Sequence, residues 1–198
     1  MQDRMPNALT VIGTAARIER AWCEVTTPVR TVARLAIGAS VALAVYLAVG
    51  TRSLGAAGTC WGVCGVVLAL AAVVDVHERR LPNELLAAAG IASLLPMCLR
   101  GDAGMAFRAL LGGSLAGVLL MTVRVARGVG MGDVKMAAVV GVSVGALGWR
   151  LALVAVGAAA AGGAAYGVAR RRQRIAFGPA LWFGWMSALV GLSTGWWT

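Results

Sequence analysis

Two of the eight acidic residues in this 198-residue chain stand where carboxylates are costly. Asp75 directly follows the uncharged run Val63–Val74, and Asp133 directly precedes Val134–Gly148, whose only charge is Lys135. Carboxylates at membrane depth are expensive and mark functional sites. Two of them at one level of a helical bundle cannot both ionise, so they share a proton and can work as an acid–base pair. The ionised member takes a proton from water and the protonated member polarises a carbonyl. Such a pair needs no metal and no covalent intermediate. Asp3, Glu19 and Glu24 fall in a polar N-terminal stretch, Asp102 in a short loop, and Glu78 and Glu84 read as solvated interface charges. His77 is the only histidine and cannot build a metal site, and none of Cys23, Cys60, Cys64 and Cys98 forms a CxxC pair, so no metal centre and no cofactor is expected. Cys60 and Cys98 both fall near outer helix ends, but small thiols pack well in helices and a disulfide is not the preferred reading.

The elements that position the pair are membrane spans. The chain is 60% hydrophobic and 13% charged, against about a quarter charged in an ordinary soluble domain. Spanning a bilayer takes about 20 apolar residues, with about 17 as a working minimum. Seven runs qualify or nearly so: Val32–Val49, Ala56–Val74, Leu85–Leu99, Met105–Val123, Val134–Gly148, Leu151–Ala169 and Ile175–Trp197. The third and fifth are short, and Pro96 lies near the end of the third; such helices need thinned bilayer or sheltering neighbours. With the N-terminus inside, only Arg52, Arg100, Arg108 and Arg150 of the 18 basic residues fall outside, which is the bias of the positive-inside rule. Seven spans put the C-terminus outside, with Trp196 and Trp197 in the outer aromatic belt. The fold expected is therefore a single all-α bundle over residues 29–198, preceded by a cytoplasmic segment, 1–28, that reads as a short interfacial helix. The net charge of +10 is absorbed by inner helix flanks, with no aromatic-interleaved basic patch, so nucleic acid is not an expected partner and the bilayer is. Glycines four apart (Gly58/Gly62, Gly113/Gly117, Gly141/Gly145, Gly163/Gly167, Gly191/Gly195) favour close helix packing.

This topology brings both aspartates to the inner membrane face, since the second span ends there and the fifth begins there. In Gly130-Met131-Gly132-Asp133-Val134-Lys135-Met136 the two glycines allow strained backbone angles and close approach of a substrate chain. Lys135 reads first as an interfacial anchor and second as a substrate contact. In Asp75-Val76-His77-Glu78-Arg79-Arg80-Leu81-Pro82-Asn83, Pro82 breaks the chain between spans and Asn83 suits the N-cap of the next, with Arg79 and Arg80 as inner anchors. Phe177, Gly178 and Pro179 either shape a substrate groove or kink the last helix. A helix N-terminus favours an anion and a C-terminus opposes one, so Asp133 is expected to be the ionised base and Asp75 the acid.

These segments resemble a known family. Asp75 to Asn83 is similar to the first aspartate motif of the bacterial prepilin peptidases, Gly130 to Met136 to their Gly-x-Gly-Asp-Val-Lys motif, and Ala176 to Pro179 to a Phe-Gly-Pro stretch in their last span. The three occur in the family's order over roughly residues 62–185. The resemblance implies a multi-pass aspartyl endopeptidase of the bacterial cytoplasmic membrane that clips the basic leader from type IV or Flp-type pilin-like precursors. Asp75 and Asp133 correspond to its catalytic aspartates, and Gly130, Gly132, Lys135, Pro82, Asn83, Gly178 and Pro179 to its motif positions near substrate. Full-length members also N-methylate the new terminus through a cytosolic segment with paired CxxC motifs. This chain has neither that segment nor those pairs, so it resembles the short form, and cleavage without methylation is expected.

Two other classes compete. A small transporter or channel could use Asp75 and Asp133 to relay protons or bind a cation, but that requires a polar path across the whole bilayer, and here the polar groups gather at one face. A scaffold descended from a peptidase would lack cleavage while keeping the fold.

Overall fold

The computed structural model describes residues 55–125, 129–170 and 176–193, and these form six helices with no strand among them. They are α1 Gly55–Glu78, α2 Asn83–Arg100, α3 Ala103–Val125, α4 Met131–Gly145, α5 Trp149–Arg170 and α6 Gly178–Ser193. They correspond in order to the second to seventh expected spans. The first expected span, the segment 1–28 and Trp196 and Trp197 lie outside the described residues. Three helices are long and apolar enough to cross a membrane, through Gly58–Val76, Ala103–Val125 and Trp149–Tyr166. Large apolar side chains face outward: Ile91 and Phe107 are each 67% exposed, and Val118 and Phe183 are similarly bare. In water that surface would be a liability; in lipid it is the expected outer face. The protein is an all-α membrane protein in its described part.

The shortest helix is the central one. At about 1.5 Å per residue, the 15 residues of α4 reach only about 22 Å, short of the roughly 30 Å hydrocarbon core. It nevertheless touches each of the other five helices, and Asp133, Val134, Met136, Ala137, Val140, Gly141, Ser143, Val144 and Gly145 are buried along it. A helix sheltered by protein need not match the bilayer.

The closest seam is α3 against α4. A Cβ built on Gly112 would stand 2.7 Å from the Gly141 carbonyl oxygen and 2.8 Å from Gly145 Cα, and one on Gly113 would stand 2.5 Å from Val142 Cγ2. The pairing of Gly141 with Gly145 thus does serve packing, as its spacing implies, and its partner stripe is Gly112–Gly113. Higher in the bundle, four helices meet through buried polar groups. The Ser93 hydroxyl donates to the Ala89 carbonyl at 2.8 Å, which leaves the Cys64 thiol to donate to Ser93 Oγ at 3.1 Å. The Trp185 indole donates to Ser143 Oγ at 2.9 Å, and that of Trp182 to the Gly65 carbonyl at 3.2 Å. These contacts tie α1, α2, α4 and α6 together roughly three turns away from the aspartates. Cys60 and Cys98 are free thiols, so no disulfide joins them.

Candidate active site

Asp75 lies in the last turn of α1, and Asp133 is the third residue of α4, inside its first turn rather than ahead of the helix. The helices touch there. Both aspartates are nearly sealed, 6% and 9% exposed, and their charges interact. The two carboxylates thus stand buried at the end of one helix and the start of another that it touches.

Each has a local reason for its position. Asp133 reaches back one turn, and its Oδ2 accepts the Gly130 N–H at 3.1 Å. That is half of a capping box, in which a carboxylate at the third helical position satisfies an otherwise orphaned donor. Its Oδ1 is buried with no hydrogen-bond partner among the described residues. Asp75 crosses to another helix. Its Oδ2 accepts the Gly178 N–H at 2.9 Å, at the first residue of α6. Asp75 thus ends its own helix but caps the start of another. This corrects the dipole argument: α1 opposes an anion at Asp75, but α6 favours one there, so both aspartates sit at helix N-termini.

The Phe177-Gly178-Pro179 stretch opens α6 rather than kinking it. It builds the donor. A Cβ on Gly178 would stand 3.0 Å from Asp75 Oδ2 and 3.2 Å from Ala72 Cα. Pro179, in the first turn of α6, lacks an N–H only where none would be bonded within the helix. The ring of Phe177 lies against Gly163 of α5, where a Cβ would come within 2.4 Å of it. That contact fixes the entry to α6.

Two expectations at the other motifs also change. Pro82, not Asn83, is the N-cap of α2, and it offers no side-chain cap. The Asn83 carboxamide oxygen instead accepts Lys135 Nζ at 2.9 Å, so Lys135 bridges α4 to α2. The glycines of the second motif are not strained. Gly130 is extended at φ −77°, ψ 161°, and Gly101 has the positive φ among the described glycines. Gly132 is needed for a close approach within the protein, because a Cβ there would lie 2.9 Å from Leu81 Cβ. The α1–α2 connection turns sharply at Arg79, whose φ of 53° is left-handed. It is then held on the start of α4 by the Leu81–Gly132 contact and the Asn83–Lys135 bond. These two clamps draw α1 and α4 together at the level of the aspartates.

Against this geometry, a model of the type IV leader peptidase family matches residues 62–168, more than half of the chain. The chain belongs to the type IV leader peptidase family. The match takes in Asp75, Leu81 to Asn83, Gly130 to Lys135 and the buried Cys64, Ser93 and Ser143. Gly178, which hydrogen-bonds Asp75, lies beyond its end. Searches of curated proteins and of solved structures each returned no match.

In this peptidase the residues to which sequence reasoning gave no role are Leu81 and Ala72, apolar side chains whose only signal was their place in or beside a motif. The Cys64–Ser93 and Ser143–Trp185 contacts also went unread, although serines inside apolar helices need partners and that alone marks them.

The clamp predicts an outcome. Gly132→Ala drives a methyl group into Leu81 and lifts α4 from the α1–α2 connection, costing about 1–3 kcal/mol of stability and a larger share of activity, since the clamp sits beside the aspartates. Leu81→Ala removes two of the three close contacts, Cδ1 and Cγ, and restores part of the loss in the double variant. A double-mutant cycle on detergent unfolding and on peptide cleavage checks this; additive effects would show that the contact is not the cause.

Proposed function

We propose that this peptidase is an aspartyl endopeptidase in which Asp75 and Asp133 are the catalytic pair. It removes the basic leader from type IV or Flp-type pilin-like precursors at the inner face of the bacterial cytoplasmic membrane. The observation that supports the reading is a pair of buried carboxylates on two contacting helices, each held at a helix N-terminus. The arrangement proposed is seven spans over residues 29–198, with the N-terminus inside, the C-terminus outside and residues 1–28 in the cytoplasm.

The chemistry follows from one shared proton. The ionised carboxylate takes a proton from water as the water oxygen attacks the scissile carbonyl carbon. The protonated carboxylate gives its proton to the carbonyl oxygen, so both new charges are neutralised as they form. Collapse of the tetrahedral diol returns a proton through the pair to the amide nitrogen, and the C–N bond breaks. Hydrogen bonding assigns the resting proton. Asp75 Oδ2 accepts a backbone N–H from the start of α6, whereas Asp133 Oδ1 is buried with no partner among the described residues, which disfavours a charge on Asp133. Asp75 is therefore the resting base and Asp133 the acid, the reverse of the assignment from sequence. Infrared difference spectra of Asp75→Asn and Asp133→Asn check it: the protonated carboxyl band is expected to vanish in the second and not the first.

A polar path for ions is not favoured by the packing. Leu68, Met136 and Val140 are fully buried between the aspartates and the Cys64–Ser93–Ser143 level, so the two polar layers are separated by an apolar one. The test of the proposal is cleavage in membranes. A pilin-like precursor co-expressed with the peptidase is expected to lose its leader by gel shift, with a product mass showing no added methyl group. Several well-expressed precursors all remaining intact would overturn the proposal.

A further inference from the structure

A groove of about 710 Å³ opens beside the aspartates between α5 and α6, a size typical of ligand-binding clefts. Val76 and Arg79 of the α1 end, with Ala176 and Pro179, form its inner mouth. Val76 and Pro179 are the chain neighbours of the hydrogen-bonded Asp75 and Gly178, so the groove mouth adjoins the candidate active site. From there it runs along Pro179 to Ser187 of α6, roughly 12 Å of helix. The packing of Gly163 on Phe177 at one end and of Gly184 on Ala155 toward the other sets α5 and α6 antiparallel along it. Tyr166 therefore lies at the inner mouth and Ala158 at the far end.

The lining has a definite character. The inner mouth carries a guanidinium and a phenol, Arg79 and Tyr166, whereas the length beyond it is built of alanine and glycine, with Phe183 standing 62% exposed at its edge. Small residues on two neighbouring helices let a third helix backbone approach closely in lipid, where packing rather than hydrophobicity drives association. At Gly162 an added Cβ would meet nothing within 4 Å, so the space beside it is open. A carboxylate pair at the membrane surface can reach a scissile bond only at that surface. A substrate with its basic leader in water and its other flank in the bilayer would present its scissile bond at that level.

We infer that the α5–α6 groove is the docking site for the apolar helix of the substrate, seating it in lipid so that the bond preceding it lies at Asp75 and Asp133. The inference rests on the proteolytic reading and deepens it. Arg79 and Tyr166 stand at the level where the leader leaves the membrane, and the small-residue walls receive the helix beyond.

The experiment uses the full chain in liposomes of phosphatidylethanolamine and phosphatidylglycerol. The probe is a synthetic precursor with a short basic leader and an apolar helix of about 20 residues. Gly162→Leu fills the groove, and Gly157→Leu, on the same helix but outside the lining, also enters open space. Gly162→Leu is expected to raise KM for the precursor about tenfold, within the range for filling an apolar pocket, with kcat little changed, while Gly157→Leu leaves KM as in wild type. In an Asp133→Asn background, p-benzoylphenylalanine at position 183 is expected to crosslink the apolar segment of the precursor. The same probe at position 107, in place of the equally exposed Phe107 of α3, is expected not to. Crosslinking without cleavage by the wild type would sink the proteolytic reading and leave the docking site standing. Equal KM values for the two leucine variants, or crosslinks from position 183 only to lipid or to residues 29–54 of the chain itself, would overturn the docking site even if cleavage is normal.

Discussion

Asp75→Asn and Asp133→Asn are each expected to lower cleavage by about 10⁴-fold or more while leaving the peptidase inserted and expressed. The size follows from the division of labour. An amide cannot accept the proton of water, and an amide in place of the acid cannot pass a proton to the carbonyl oxygen and onward to the leaving nitrogen. Replacing one member of a proton-handling set elsewhere costs about 10⁴-fold, and such losses are strongly non-additive. The double variant is therefore expected to be no worse than the poorer single one. Folding is not the obstacle, because asparagine is nearly isosteric, and its carboxamide oxygen can still accept the Gly178 N–H in one case and the Gly130 N–H in the other. Rates come from mass spectrometry of the released leader, and insertion from protease protection. Full activity in either variant would refute the pair.

The second large effect falls on a residue with no side chain. Gly178→Ala is expected to lower kcat about 100-fold, the size of loss that follows a displacement of about 1 Å at a reacting group. The added methyl group would lie 3.0 Å from Asp75 Oδ2 and 3.2 Å from Ala72 Cα. The backbone atom on one side and the Asp75 oxygen on the other cannot both give way without moving α6 from α1. Either movement stretches the 2.9 Å hydrogen bond that orients Asp75. Gly157→Ala, where the same methyl group meets open space, is expected to keep wild-type kcat and serves as the matched control. The infrared band of the shared carboxyl proton should shift in Gly178→Ala and not in Gly157→Ala, a readout that general loss of packing would not produce. Equal kcat in the two variants would remove Gly178 from the site.

The elements and the site residues differ in how they could be found. Six of the seven expected spans appear as helices in order, because apolar runs bounded by charges or by proline leave little choice in lipid: every backbone group must be bonded within its own helix. The helix ends were less readable. The last helix begins at Gly178 rather than Ile175, and α1 runs on past Asp75 to Glu78, because hydropathy marks where a run turns polar and not where the backbone turns. That Asp75 and Asp133 stand at helix ends was readable from the sequence, each at the edge of an apolar run. What Asp75 bonds to was not, since the donor is a backbone N–H more than a hundred residues away, and a main-chain group leaves no trace in residue type. The same holds for Gly132, where a gap left for Leu81 looks in sequence like a gap left for substrate.

By itself, then, the sequence determined the solvent, the order of the helices and the two carboxylates at helix ends, because each follows from where charge is tolerable in an apolar medium. Only the tertiary structure decided that Asp75 caps α6, that Lys135 and Asn83 hydrogen-bond each other, and that a groove lies between α5 and α6. Those depend on distances of a few tenths of an ångström between helices far apart in the chain. Such distances are set by how glycine, alanine and phenylalanine fill the seams, which no pattern along a single helix contains.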